Sequence, residues 1–238
     1  MSSSKGRELT FDNRLLAALP REEYARLSPH LELVRLTSGQ TLYHVGDTVR
    51  HAYFPKGGML SLLSITESGR TIEVGMVGNE GMTGIPIVLQ TCVAPYQVIV
   101  QLPCNALRIR GEALREEFNR GGRLQSLLLR FTHTLLTQIA QAAACNQFHN
   151  VEKRLCRWLL ISRDRVQTDT INLTQEFLSY MLGVPRTSVT TVAVALQERG
   201  LISYSRGKIV ILDRAGVEAV SCECYKLVSE GIRHLLAA

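Results

Sequence analysis

The chain has 238 residues, 45% of them hydrophobic, with a formal net charge of +6 and an isoelectric point of about 9.1. That is enough apolar material for two cores, and no apolar run approaches the ~20 residues that span a bilayer. The opening Met-Ser-Ser-Ser-Lys-Gly-Arg has no signal-peptide core, so a cytoplasmic protein with no membrane partner is expected. The positive charge suits a polyanion, but it is divided evenly between residues 1–149 and 150–238, so any basic surface has to come from local placement.

In chain order, the first texture is that of strands. Short runs at Leu31–Leu36, Thr41–Val45, Ala52–Phe54, Met59–Ile65, Thr71–Val77 and Gln97–Leu102 are separated by Gly, Asp, Asn and Pro turns at the intervals of an antiparallel sandwich or barrel, read here as a small jelly roll. Gly78-Asn79-Glu80-Gly81-Met82-Thr83-Gly84 interrupts this rhythm with three glycines and an acid. Such a segment either shapes a backbone cradle for a phosphate or ribose or simply turns the chain between two strands. Gly78, Asn79, Glu80 and Gly81 are the candidate effector-binding residues.

A long helix is predicted from about Arg123 to Phe148. Leu124, Leu128, Phe131, Leu135, Gln138, Ala142 and Cys145 recur at alternating spacings of four and three, while Leu129, Leu136, Ile139 and Ala143 form a second apolar line. One line can pack on the sandwich and the other on a second copy of the chain; the alternative is a core helix of a monomer. Leu124, Leu128, Phe131, Leu135, Gln138 and Ala142 are assigned to a dimer seam, with Gln138 as the polar residue that fixes register. The expected division is a sandwich at 1–122, a dimerisation helix and hinge at 123–149, and a third unit at 150–238. That unit opens with an amphipathic helix, Val151–Ser162, which buries Leu155, Trp158 and Leu159 and leaves Lys153, Arg154 and Arg157 in solvent.

Leu173 to Leu212 carries the most specific pattern. Thr174 caps a helix with Phe177, Leu178, Met181 and Leu182 on its apolar face, Gly183 supplies a turn, and Pro185 sits where a first helical turn tolerates the missing N–H. The next helix presents Val189, Val192, Ala193 and Leu196 inward and leaves Arg186, Thr187, Thr190, Thr191 and Gln197 on other faces. Two helices joined by a Gly-containing turn, the second with an Arg and hydroxyls near its start, form the helix-turn-helix layout that offers donors to base edges in a major groove. An αα-corner in an unrelated core has the same periodicity. Leu201–Tyr204, Ser205-Arg206-Gly207 and Lys208–Ile211 read as a hairpin, the wing of a winged helix, on which Arg206 and Lys208 place charge. The DNA-binding set is Arg186, Thr187, Ser188, Thr190, Thr191, Thr174, Arg206 and Lys208, with Thr174, Thr187 and Ser188 at helix starts where phosphates are held.

No catalytic residue is assigned. His30, His44, His51 and His133 lack a paired spacing, and no Ser/His/Asp or Cys/His arrangement stands out, so a metal-dependent enzyme on the sandwich is the disfavoured rival. The six cysteines, Cys92, Cys104, Cys145, Cys156, Cys222 and Cys224, are expected to be reduced, small and buried. Cys145 and His149 with Cys156 come nearest to a metal signature, but Cys222-Glu223-Cys224 lies far off in sequence, and no metal site is expected.

The order of these parts resembles the Crp/Fnr family of bacterial transcription regulators, over nearly the whole chain. The matching motifs are Tyr53-Phe54-Pro55-Lys56-Gly57-Gly58, Gly78-Asn79-Glu80-Gly81, Thr174-Gln175-Glu176 and Gly183-Val184-Pro185-Arg186-Thr187-Ser188-Val189. The resemblance implies an α+β chain with a cyclic-nucleotide-binding-like jelly roll, a long dimerisation helix and a winged helix-turn-helix. It also implies a homodimer on a two-fold DNA operator that recruits or blocks RNA polymerase under a small effector, with Arg186 reading a base and Thr174 and Ser188 on phosphates. In members that bind cyclic AMP, the glutamate of a Gly-Glu pair holds the ribose and a later Arg-Ser pair binds the phosphate. Here Asn79 separates Gly78 from Glu80, and Leu89–Tyr96 has no arginine, so cyclic AMP is not expected. Arg108, Arg123 and Arg130 are the nearest cations by sequence that could replace it. The amino-terminal cysteine cluster of iron–sulfur-sensing members is missing, since the first cysteine is Cys92, and nothing points to haem. Thr187 stands where a glutamate often follows the arginine and Thr191 where a second arginine falls, so the half-site is expected to differ, with Arg186 still favouring guanine. A regulator that binds DNA without an effector, its sandwich contacting only protein, is the alternative.

Overall fold

The computed structural model describes residues 13–236; the outer ends of the expected units 1–122 and 150–238, and the opening Met-Ser-Ser-Ser-Lys-Gly-Arg, lie outside the described residues. Two short helices, α1 (Arg14–Ala17) and α2 (Arg21–Leu27), precede β1 (Glu32–Leu36), β2 (Thr41–Tyr43), β3 (His51–Pro55), β4 (Met59–Ile65) and β5 (Thr71–Val77). After α3 (Ile85–Val88) come β6 (Gln97–Leu102) and β7 (Cys104–Arg110). These strands form two antiparallel sheets, ordered β1-β7-β3 and β2-β6-β4-β5. The strand β7 was not expected from sequence, because Pro103 alone separates it from β6, a break too short to suggest that the chain passes there from one sheet to the other.

The rest of the chain is mostly helical: α4 (Gly111–Asn119), α5 (Gly122–Phe148), α6 (Val151–Val166), then β8 (Thr170–Asn172), α7 (Gln175–Leu182), α8 (Arg186–Glu198), β9 (Ile202–Ser205), β10 (Lys208–Ile211), α9 (Arg214–Val220) and α10 (Cys224–Leu236). The wing has three strands in the order β8-β10-β9, one more than the sequence signalled. Its tip pairs Ser205 with Lys208 across Arg206 at φ 49° and Gly207 at φ 76°, a left-handed pair whose twist suits a two-residue hairpin. Among the described residues no helix is long and apolar enough to cross a membrane.

The four-stranded sheet is covered on both faces. Leu60, Leu62, Val98 and Val100 enter the core between the sheets with Phe54 and Ile109. Met59, Leu63, Met76, Ile99 and Leu102 enter a second core with Leu155, Trp158 and Leu159 of α6, Leu178 and Met181 of α7, and Val189 and Leu196 of α8. This explains why β4 runs Met59-Leu60-Ser61-Leu62-Leu63 without polar alternation: a strand buried on both faces needs none.

On α5 the line of residues expected at a dimer seam is the one that packs on the sandwich. Leu124, Leu128, Phe131 and Leu135 lie in the sandwich core, Ala142 is buried, and Gln138 accepts from Met76 N at 2.7 Å and donates to Met76 O at 3.3 Å. The six residues assigned to a dimer seam are therefore consumed within the protomer, because theirs is the line that faces the sheet. Of the second line, Leu129 is 49% exposed, Leu136 62% exposed and Ala143 exposed, while Ile139 packs half-buried against the sandwich core and the neighbouring Ala140 is exposed in its place. On α6, Lys153 is exposed as expected, but Arg154 and Arg157 are only 7% and 6% exposed, since the helix is covered on more of its circumference than an amphipathic reading allowed.

Glu73 of β5 is a polar group inside the second core. Its carboxylate accepts from Ser61 Oγ at 2.6 Å and from Trp158 Nε1 at 3.1 Å. Burial raises its pKa from the usual 4.5 to about 7, against the pull of the Ser61 hydroxyl and of Arg157 and Arg165. Between those values the folded chain holds a proton that the unfolded chain has released, so stability from Glu73 is full below the unfolded value and falls as pH rises through the window. Native protein is expected to lose on the order of 3 kcal/mol across this range relative to Glu73→Gln, which cannot ionise. Thermal melts of both proteins between about pH 5 and about pH 8 check this; parallel curves would refute it.

Candidate nucleic-acid interface and effector site

Local signals build the helix pair. Thr174 Oγ1 accepts from Phe177 N at 3.2 Å at the start of α7, and Gly183 ends the helix in the left-handed region at φ 61°. Pro185, at φ −58° and ψ 144°, is the residue before α8, one position earlier than a first-turn proline. Val189, Ala193 and Leu196 turn α8 inward, which leaves Arg186, Thr187, Thr191 and Val194 exposed along one stripe. Thr191 Oγ1 is engaged with Thr187 O at 3.1 Å and keeps its lone pairs for a partner.

Thr190 is placed differently from its neighbours. Its hydroxyl donates to Gln175 Oε1 at 2.8 Å, with Arg186 O at 3.1 Å, and the residue is half-buried. It fixes the angle between α7 and α8 rather than standing free in the stripe. Ser188 is half-buried, while Thr174, Arg206 and Lys208 are exposed. Tyr204 of β9 donates to Leu173 O at 2.9 Å, which ties the wing to the segment leading into α7; burial raises the pKa of its phenol, with the Arg186 charge acting in the opposite direction. A helix face with one exposed guanidinium and hydroxyls in its first two turns and the exposed Val194 in its third has the donors and apolar contacts that read a major groove.

The glycine-rich segment is filled from within. Glu80 accepts from Gly78 N at 3.1 Å and pairs with Arg165 of α6, whose Nε and Nη2 lie 2.8 and 2.7 Å from Glu80 Oε1. Both side chains are buried, and Arg165 Nη2 also donates to Met76 O at 3.2 Å. A Cβ on Gly78 would stand 2.8 Å from the Arg165 stem, and one on Gly81 would collide with the Phe131 ring of α5. The expected cradle of Gly78, Asn79, Glu80 and Gly81 for a phosphate or ribose is thus occupied by the chain's own arginine and phenylalanine. The cation opposite Glu80 is neither Arg108, which pairs with Glu32, nor Arg130, which donates to His234 O, nor Arg123. Nothing near Glu80 in sequence points to Arg165, which lies 85 residues away on a part of α6 beyond the expected end at Ser162. Asn79 instead borders a cavity of about 220 Å³ between the sandwich, α6 and α10, lined also by Arg14, Asp164, Arg165 and Arg233.

The structure also gathers Cys145 and His149 with Cys222 and Cys224, whose ligand atoms all lie within 4.8 Å of one another, a grouping not expected from sequence; Cys156 sits apart in the core around Trp158.

Residues 33–120 match the family model of the cyclic nucleotide-binding domain, and residues 153–220 that of the Crp-like helix-turn-helix domain. The global nitrogen regulator of Synechocystis sp. is 22% identical over 213 residues, covering 85% of this chain and 93% of its own length. That of Nostoc sp. is 22% identical over 182 residues, covering 72% and 81%. Among solved structures, a CRP-family transcriptional regulator of Thermus thermophilus gives a TM-score of 0.66 at 19% identity, over 79% of this chain and 96% of that one. The c-di-GMP-responsive global regulator of Xanthomonas campestris gives 0.63 at 17% identity, over 82% and 100%. A sandwich with a cyclic-nucleotide-binding pattern, a long helix and a Crp-like winged helix-turn-helix, in that order, make this chain a member of the Crp/Fnr family of DNA-binding transcription regulators.

Proposed function

We propose that the chain binds a two-fold operator as a homodimer in the cytoplasm, and there recruits or blocks RNA polymerase without catalysing a reaction. The observation that carries this reading is the uncovered stripe Arg186–Thr187–Thr191–Val194 on α8. In it Arg186 reads a guanine, Thr187 and Thr191 meet neighbouring bases, and Thr174, Ser188, Arg206 and Lys208 hold phosphates, with Thr190 as the brace between the two helices. Arg186→Ala is expected to remove about 1–3 kcal/mol of discrimination between operator and random DNA, with an unchanged melting temperature. Competition binding at fixed salt measures it, and undiminished selectivity would refute the assignment.

In this reading, residues 1–122 form the effector unit, 123–149 the dimerisation helix and 150–238 the DNA-binding unit. The second copy is expected on the outward line of α5, where Leu129, Leu136, Ala140 and Ala143 keep heptad spacing and are exposed. Leu136→Lys is expected to yield folded monomers in sedimentation velocity. Leu128→Lys would instead bury a charge in the protomer core and unfold it, at a cost of several kcal/mol. A dimer that survives Leu136→Lys would place the seam elsewhere.

The effector is taken to be a small molecule other than cyclic AMP. Arg165 and Phe131 already occupy the glycine segment, which supports the cavity beside Asn79 as the place where a small anion would meet Arg14 and Arg233. Isothermal titration with cyclic AMP is expected to show no micromolar binding; tight binding coupled to stronger operator binding would overturn this.

A further inference from the structure

We propose that Cys145, His149, Cys222 and Cys224 bind one Zn²⁺ ion in a tetrahedral three-thiolate, one-imidazole site that fastens α10 to the junction of α5 and α6. The ligands converge from separate segments. Cys145 is in the last turn of α5, His149 is the residue that ends it, and Cys222 and Cys224 flank Glu223 where α9 gives way to α10. All four ligand atoms lie within 4.8 Å of one another, and the three cysteines form a small buried cluster of their own.

The spacing suits a single ion. Cys145 Sγ stands 3.6 Å from Cys222 Sγ, and Cys224 Sγ 3.6 Å from His149 Nδ1. A tetrahedral Zn²⁺ with bonds of ~2.3 Å to sulfur and ~2.0 Å to nitrogen holds its ligand atoms roughly 3.5–3.8 Å apart. A multi-iron cluster spreads its protein ligands over several irons bridged by sulfide, which a group this tight does not accommodate. Three soft thiolates and a neutral imidazole also match the preference of Zn²⁺ over harder cations.

The surroundings are those of a ligated site. Glu223 Oε1 lies 3.3 Å from His149 Nε2, so the carboxylate holds the ring proton on Nε2 and leaves the Nδ1 lone pair turned to Cys224. The Gln141 side chain donates to Cys224 Sγ at 3.0 Å, a hydrogen bond suited to a metal-bound thiolate. Three thiolates around a dication leave one net negative charge. Arg154 and Arg157 are buried on α6, the helix that begins two residues after His149. Neither arginine Nε has a hydrogen-bond partner among the described residues, so these guanidiniums have charge to offer a nearby anionic centre.

The test uses the full chain, purified under reducing conditions without chelator from Zn²⁺-supplemented cells, with metal measured by plasma mass spectrometry. About one Zn²⁺ per chain is expected, retained in Cys156→Ser and lost in Cys222→Ser. Glu223 is exposed, so Glu223→Gln keeps the fold and is expected to weaken Zn²⁺ affinity by about 10–100-fold in a competition titration with a chromogenic chelator. Co²⁺ added to the stripped chain is expected to give the intense visible bands of tetrahedral coordination and thiolate-to-metal charge transfer, absent from Cys224→Ser. A folded, reduced chain that neither retains Zn²⁺ nor develops these bands overturns the proposal. Equal Zn²⁺ content in Cys156→Ser and Cys222→Ser does so too, as does a Cys145–Cys222 disulfide whose reduction brings no metal uptake.

Discussion

Much of this structure depends on the need to cover the outer face of the β2-β6-β4-β5 sheet. Met59, Leu63, Met76, Ile99 and Leu102 project from it, and each large apolar side chain removed from water contributes about 1.5–3 kcal/mol. The helices α6 and α7 supply that cover, so the sheet that would house an effector also sets where the recognition helix sits. Apolar burial alone would tolerate some sliding. The hydrogen bond from Trp158 to Glu73 and the ion pair of Glu80 with Arg165 are directional and buried, and they fix one docking geometry. A buried pair of this kind adds little net stability over an apolar contact, but loss of either partner strands a charge.

Helix α6 is the common element. Its last turn carries Arg165 into the glycine segment beside the Asn79 cavity, its middle carries Trp158 to Glu73, and its first residues follow directly on His149. Sixteen helical residues span about 24 Å, so one rigid rod connects the cavity at one end with the cysteine–histidine group at the other. Thr190, bonded to Gln175, extends the rigid assembly into α8.

The parts written in local chemistry were readable from sequence. The cap at Thr174, the left-handed Gly183, the apolar stripe of α8 and the strand runs separated by turn residues all involve neighbours a few positions apart. Where the reading failed, the deciding contact was distant or the local signal was degenerate. Both lines of α5 have heptad spacing, and only the sheet decides that Leu128 turns in and Leu136 turns out. Glu80 finds Arg165 across 85 residues, and Cys145 meets Cys222 across 77, with nothing in either neighbourhood to announce the pairing. The closing helix α10 was missed because Gly231 interrupts an otherwise amphipathic pattern.

The sharing of a core between the two halves has a consequence for how the chain is made. The strands β4, β5 and β6 leave the ribosome first, and their outer face stays bare until α6 and α7 have followed. At about 5–20 residues per second, that interval lasts on the order of several seconds. For that time the nascent sandwich displays a methionine- and leucine-rich sheet face, the kind of surface that chaperones bind and that pairs nonproductively with its own copies. Completion of α6 and α7 and protection of the sandwich from aggregation are therefore a single event in the biogenesis of this regulator.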